Sequence, residues 1–184
     1  ATLTLNSTNA ASTFGTITAA GVETINYELK GGFDSTVGDA AHADATALNI
    51  NVAASSGGQI SASAAKATAV TITAADTFTL VDTDLSKAYT YTIDSTLAKA
   101  GDTAASNVVA TSITPVESST KAETLKFTIK GAGTADVGSD VNWDVQSDTN
   151  ADTVEVDASS NTGGVTADFS AFTTNNARYN KFTG

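Results

Sequence analysis

The sequence predicts a mainly β fold: short stacked strands, solenoid-like or sandwich-like, with an inserted small β-rich module that carries at most one short helix. Three observations predict it. Short runs alternate β-branched with polar residues, Gly, Asn, Asp and Ser bound those runs, and several stretches of the chain resemble one another loosely. Period-two alternation puts one set of side chains in a core and the other in water, as half-buried strands require.

The alternation marks ten strands in chain order: Thr2–Leu5, Thr16–Thr18, Thr24–Leu29, Ala47–Val52, Ala69–Thr73, Thr77–Val81, Tyr89–Ile93, Thr124–Ile129, Val141–Val145 and Val154–Asp157. Residues 15–29, 45–73 and 151–172 share Thr/Val/Ile strands separated by Ala, Ser and Gly, a pattern that suits stacked rungs burying their apolar faces on one another. Their spacing is irregular. Asp102–Ala110 departs from the alternation, and its acidic start and Ala-rich spacing predict a two-turn helix, with an Ala-rich loop as the competing reading. Pro115, the single proline, would end either one.

Three regions follow from this pass. Residues 1–75 form a β-rich stacked-strand region, 76–150 a compact β-rich insert, and 151–184 a β-rich segment that returns to the first region. The insert opens with DTFTLVDTDLSKAYTYTIDS, read as a hairpin with Phe78, Tyr89 and Tyr91 on its strands, and it contains the single tryptophan, Trp143.

Composition narrows the function classes. Net charge is −11, and the nine basic residues are scattered, so the basic footprint that nucleic acids and anionic membranes demand is absent. No partner of either kind is expected. An acidic surface can be neutralised by divalent cations, for which calcium is the natural candidate. The chain has no Cys and no Met, which suits a secreted protein spared thiol and thioether oxidation. No run is apolar enough to span a bilayer, and ATLTLNSTNA lacks the basic and apolar regions of a signal peptide. A chain that starts on Ala1 reads as a fragment or a processed product.

Chemistry-bearing motifs are sparse, and no enzyme is expected. His42 is the single histidine, it has no Cys to accompany it, and no G-x-S-x-G frames a serine; a surface-loop histidine is the reading preferred over a Ser–His–Asp hydrolase. The glycines of GGFDSTVG at 31–38 and GAGTADVG at 131–138 match neither a dinucleotide nor a Walker loop and read as turns. Two acidic stretches carry the candidate calcium ligands. Asp82 and Asp84 in VDTDLS are two apart, so both carboxylates of an extended turn face one ion, and Asp148, Asn150 and Asp152 offer a similar alternating spacing. Solvated turn aspartates are the competing reading in both. Tyr89, Tyr91 and Trp143 suit either a sugar platform or a core, with the core favoured for Phe78, Phe127 and Trp143.

The phrases GVETINYEL at 21–29, AAKATAVTITAADT at 64–77 and GVTADFSAFTT at 164–174 resemble rungs that recur in bacterial S-layer proteins and RTX-type repetitive cell-surface proteins. The run DTFTL, AYTYTI, AGDTAASNVV, LKFTIKG resembles the inserts of such proteins. The resemblance implies a structural component of an extracellular surface array, exported without a conventional N-terminal signal, assembling with copies of itself in a lattice or fibre and often organised by calcium. The GGxGxDx nonapeptide that binds calcium in RTX rolls is absent, so sites of that kind are not carried over. An adhesin, flagellin outer-domain or phage-tail binding module, recognising a cell-surface glycan or a host surface protein, is the alternative.

Overall fold

The computed structural model describes residues 1–8, 11–30, 35–54, 56–85, 87–95, 107–111, 123–137, 153–167 and 179–184. These form a β-solenoid built from two parallel sheets, with no helix among the described residues. The first sheet holds eight strands: β1 (Thr2–Ser7), β3 (Thr24–Leu29), β5 (Ala47–Val52), β7 (Ala69–Ala74), β9 (Thr90–Ser95), β11 (Thr124–Gly131), β13 (Thr153–Asn161) and β15 (Tyr179–Thr183). The second holds seven: β2 (Ser12–Thr18), β4 (Ser35–Ala41), β6 (Gly58–Ser63), β8 (Phe78–Asp84), β10 (Asn107–Thr111), β12 (Thr134–Val137) and β14 (Val165–Ala167). Odd and even strands alternate along the chain, so each rung adds one strand to each sheet.

Register explains why these sequences stack. In the first sheet Leu3, Ile25, Leu48, Val70, Tyr91, Phe127, Val156 and Phe182 follow one another from strand to strand as a single inward column. Leu5, Tyr27, Ile50, Ile72, Ile93 and Ile129 form the next. Between them point the polar residues of each alternation, which also stack: Asn49 Nδ2 donates to Asn26 Oδ1 at 2.9 Å and Asn51 Nδ2 to Glu28 Oε2 at 2.9 Å. Inward residues of both sheets form one buried core, with Phe78, Leu80, Ile60 and Val108 contributed by the second. At roughly 25 cal/mol per Å2, each buried Ile, Leu or Phe stabilises the stack by about 1.5–3 kcal/mol relative to exposure.

The turns from the second sheet back to the first repeat as well. Ala45, Ala67 and Ala88 donate their N–H to the carbonyls of His42, Ala64 and Leu85, closing the same four-residue turn on three successive rungs at 3.1, 2.8 and 2.8 Å. Both flanking residues of each turn are buried, which locks the corner onto the core.

Three local expectations are corrected by this topology. Asn107–Ala110, read as the end of a helix, belongs to β10; Asp102 to Ser106 lie outside the described residues. Phe78–Asp84 and Thr90–Ser95 do not pair as a hairpin, because consecutive strands of a rung go to different sheets. Ser35–Ala41, which begins within 31–38, and Thr134–Val137, within 131–138, are strands where turns are expected; the chain bends before Thr134, at Gly131 to Gly133. The described strands of 76–150 lie in the same two sheets as those before and after them. Pro115, Trp143 and the strand at 141–145 lie outside the described residues.

Candidate functional site

A stack of rungs covers each inward side chain with the rung above and the rung below, and among the described residues the first and last rungs have such a neighbour on one side. In the first rung Leu3, Leu5 and Ile17 are therefore only partly buried against the core, and Phe14 is 37% exposed. Beneath this rung lies an apolar cavity of about 190 Å3, lined by Leu5, Phe14, Ile17, Tyr27, Leu29 and Val37 among others. At the opposite end β15 carries Phe182, 59% exposed. Phe14 and Phe182 are the exposed large apolar side chains among the described residues, and they mark the two ends of the stack. Sequence reasoning missed Phe14, which lies outside the alternating run Thr16–Thr18 and three residues before the inward Ile17.

One side of the cavity is Tyr27, whose phenol shares a buried hydrogen bond of 2.7 Å with His42 Nε2. His42 is 1% exposed, which overturns its reading as a surface-loop histidine. It opens the four-residue turn at the position that Ala64 and Leu85 take on the next two rungs, so the fold turns its ring inward. The two rings lie 5.9 Å apart at 40°. Such a bond inside an apolar core is worth about 1 kcal/mol, and removing one partner costs about 1–3 kcal/mol through the polar group left behind.

The aromatic pair with sugar-platform spacing is split. Tyr91 is buried in the inward column and stacks on Phe127 at 5.1 Å and 22°, whereas the Tyr89 hydroxyl donates to Glu123 Oε2 at 2.9 Å at the half-buried edge of the core. Phe78 and Phe127 are fully buried, as expected.

Of the candidate calcium ligands, Asp82 and Asp84 fall within β8, where the pairing with β6 shifts between Ala62 and Ser63, and Asp84 is exposed. Asp148, Asn150 and Asp152 lie outside the described residues. Among the described residues no three or more His, Cys, Asp or Glu side chains converge.

Charges run as ladders along the outer surface. Lys66 Nζ reaches Asp44 Oδ1 at 2.7 Å, and the Gly21 N–H donates to the other oxygen of Asp44 at 2.9 Å; together they hold that carboxyl below the usual carboxylate range. Lys30, at 2.8 Å, lowers Glu28 against the opposing effect of partial burial, with Asn51 adding to it. Lys181, at 3.0 Å, lowers Glu155, and the hydroxyl and N–H of Ser159 lower Asp157. These exposed pairs each add little to stability.

No protein-family model, curated protein or solved structure matches the chain.

Proposed function

We propose that this chain is a structural module of an extracellular surface array, S-layer-like, working through contacts between copies of itself and with its acidic surface bridged by calcium. The observation that carries the reading is the stack itself: parallel rungs whose side chains follow one another in matching columns from strand to strand. A solenoid of this kind stacks its repeats in one dimension and presents extended outer surfaces for contact, which suits such a role. The net charge of −11 supports a cation-dependent contact, since copies repel one another until the charge is neutralised.

The test is light scattering and electron imaging of the purified chain, first with calcium and then with EDTA. Ordered sheets or filaments that form with calcium and disperse with EDTA are expected. A monomer that stays unchanged in both and binds on a glycan array would overturn the reading in favour of an adhesin.

A further inference from the structure

We propose that the buried His42–Tyr27 pair is an acid-sensitive lock on one corner of the solenoid: the ring of His42 takes up its second proton only when that corner opens, so acidification from about pH 7.5 to about pH 5 loosens it. The inference goes beyond the assembly reading and does not depend on it.

The same turn on three successive rungs supplies the comparison. It is opened by His42, Ala64 and Leu85 and closed by the N–H groups of Ala45, Ala67 and Ala88, which bond back to their carbonyls. All three opening residues are buried. His42 thus puts the single histidine of the chain where the next two rungs put an aliphatic side chain. Its own N–H donates to the Ser63 carbonyl at 2.8 Å, so the residue also ties this corner to the rung beyond it.

A charge on this ring would sit in the core. Nε2 shares its bond of 2.7 Å with the phenol of Tyr27, which is equally buried. A neutral imidazole has one donor and one acceptor nitrogen, so the phenol gives or takes this bond according to the tautomer. An imidazolium has two donors, and the phenol is then left only to accept. Desolvation of the charged form adds a cost that the neutral ring does not carry.

The charged groups on the surrounding elements are engaged at the surface. Glu28 of β3 bonds Lys30 and Asn51, and Asp44 of the turn bonds Lys66 and the Gly21 N–H. Both carboxyls are held below the usual range, so they stay ionised across this interval and are not the trigger. Glu23, just before β3, is exposed, and β2, β5, β6 and β7 carry no charged residue. β4 carries Asp39, three residues before His42, and the test includes it.

The direction with pH follows from linkage. The unfolded chain binds the second proton at about pH 6.5 and the closed corner does not, so the stability of the corner is complete above about pH 7.5 and is lost as pH falls through about 6.5. Between about pH 7.5 and pH 5 the closing equilibrium should fall by up to about thirtyfold.

The test is amide hydrogen exchange of the full chain by nuclear magnetic resonance at both pH values, corrected for the intrinsic pH dependence of exchange, together with the ring signal of the single histidine. Protection at Ala45 should fall by about tenfold or more on acidification, and by more than at Ala67 and Ala88 in the same turn of the next two rungs. His42→Gln, which keeps a hydrogen-bonding side chain that does not titrate, should remove the difference. A double variant, Tyr27→Phe with His42→Leu, gives this corner the side chain of Leu85 and serves the same purpose if the glutamine variant does not fold. A ring that titrates near pH 6.5 with protection at Ala45 unchanged overturns the proposal, because the closed corner then holds the charge. Equal falls at all three turns overturn it as well. So does acid sensitivity that persists in His42→Gln and disappears in Asp39→Asn, which would move the trigger to that carboxyl.

Discussion

The two sheets of the solenoid share one core but are built differently. Strands of the first sheet, TINYEL, ALNINV, AVTITA and TYTIDS, place large or β-branched residues at nearly every inward position and bury them strictly in alternation. The second sheet uses Ala40, Ala62 and Ala135 inward, and among the described pairings its register shifts between Val37 and Ala40 and between Ala62 and Ser63, against one shift in the first sheet, between Thr128 and Lys130. The first sheet thus supplies most of the large columns, and the second closes over them with smaller side chains.

This division is open to attack from its strongest point. Phe127 lies in the first sheet, stacked on Tyr91, so Phe127→Ala should cost about 3–5 kcal/mol, read as a fall in the denaturant midpoint. A loss under about 1 kcal/mol would mean that the column is not a main support.

The corner between the sheets is tested next. Gly131 ends β11 at φ +101°, and a Cβ there would collide with the Ser95 carbonyl; Gly21, at φ +70°, has open space around it. Gly131→Ala should therefore cost clearly more than the roughly 1–2 kcal/mol of left-handed strain expected for Gly21→Ala. Equal losses in thermal melts would show that the close approach at the corner is relieved by small shifts. In the second sheet, Ala62→Leu should cost about 1–3 kcal/mol by overpacking, since Ala62 is 1% exposed beneath a register shift. A stabilised variant would mean the sheet has slack there.

The smallest effect is on pH. Glu28, Glu155 and Asp157 lie in strands of the first sheet, and Asp44 in a turn; all four are held below the usual carboxylate range. Their contribution is complete above about pH 5, where unfolded carboxyls are also ionised, and is lost as pH falls below about 4 through the lowered folded values. A modest fall in melting temperature between pH 5 and pH 3 should follow, shrinking in high salt. A melting temperature that rises over that interval would mean that relief of the acidic surface's self-repulsion outweighs these ladders.

The sheet difference also decided what could be read in advance. Strands of the first sheet from β1 to β13 stand out by alternation, whereas β4, β6, β10, β12 and β14 do not: STVGDAA, GQISAS and TADV are diluted by Gly, Ala, Ser and Asp, which β propensity disfavours or leaves neutral. NVVAT follows an Ala-rich stretch and so resembled the end of a helix. The repeat was present in the sequence all the same. Side chains bonded across neighbouring rungs, such as Asn26 to Thr4, Asn49 to Asn26 and Lys66 to Asp44, lie 22 or 23 residues apart. Aligning the inward residues of successive alternating runs exposes that period up to Tyr91, beyond which the steps to Phe127, Val156 and Phe182 lengthen and hide it. Of the candidate site, Phe14 and Phe182 were visible as residues but not as ends.

By itself, then, the sequence determined the β class, the inward and outward face of each clear strand, and the burial of Phe78 and Phe127, because period-two alternation is a local property of the chain. Tertiary structure alone decided that the strands run parallel in two sheets, that His42 turns inward against Tyr27, and that Phe14 and Phe182 lie on outer strands of the described sheets. Parallel pairing joins residues a whole rung apart, and alternation says which face a side chain takes without saying which strand lies beside it.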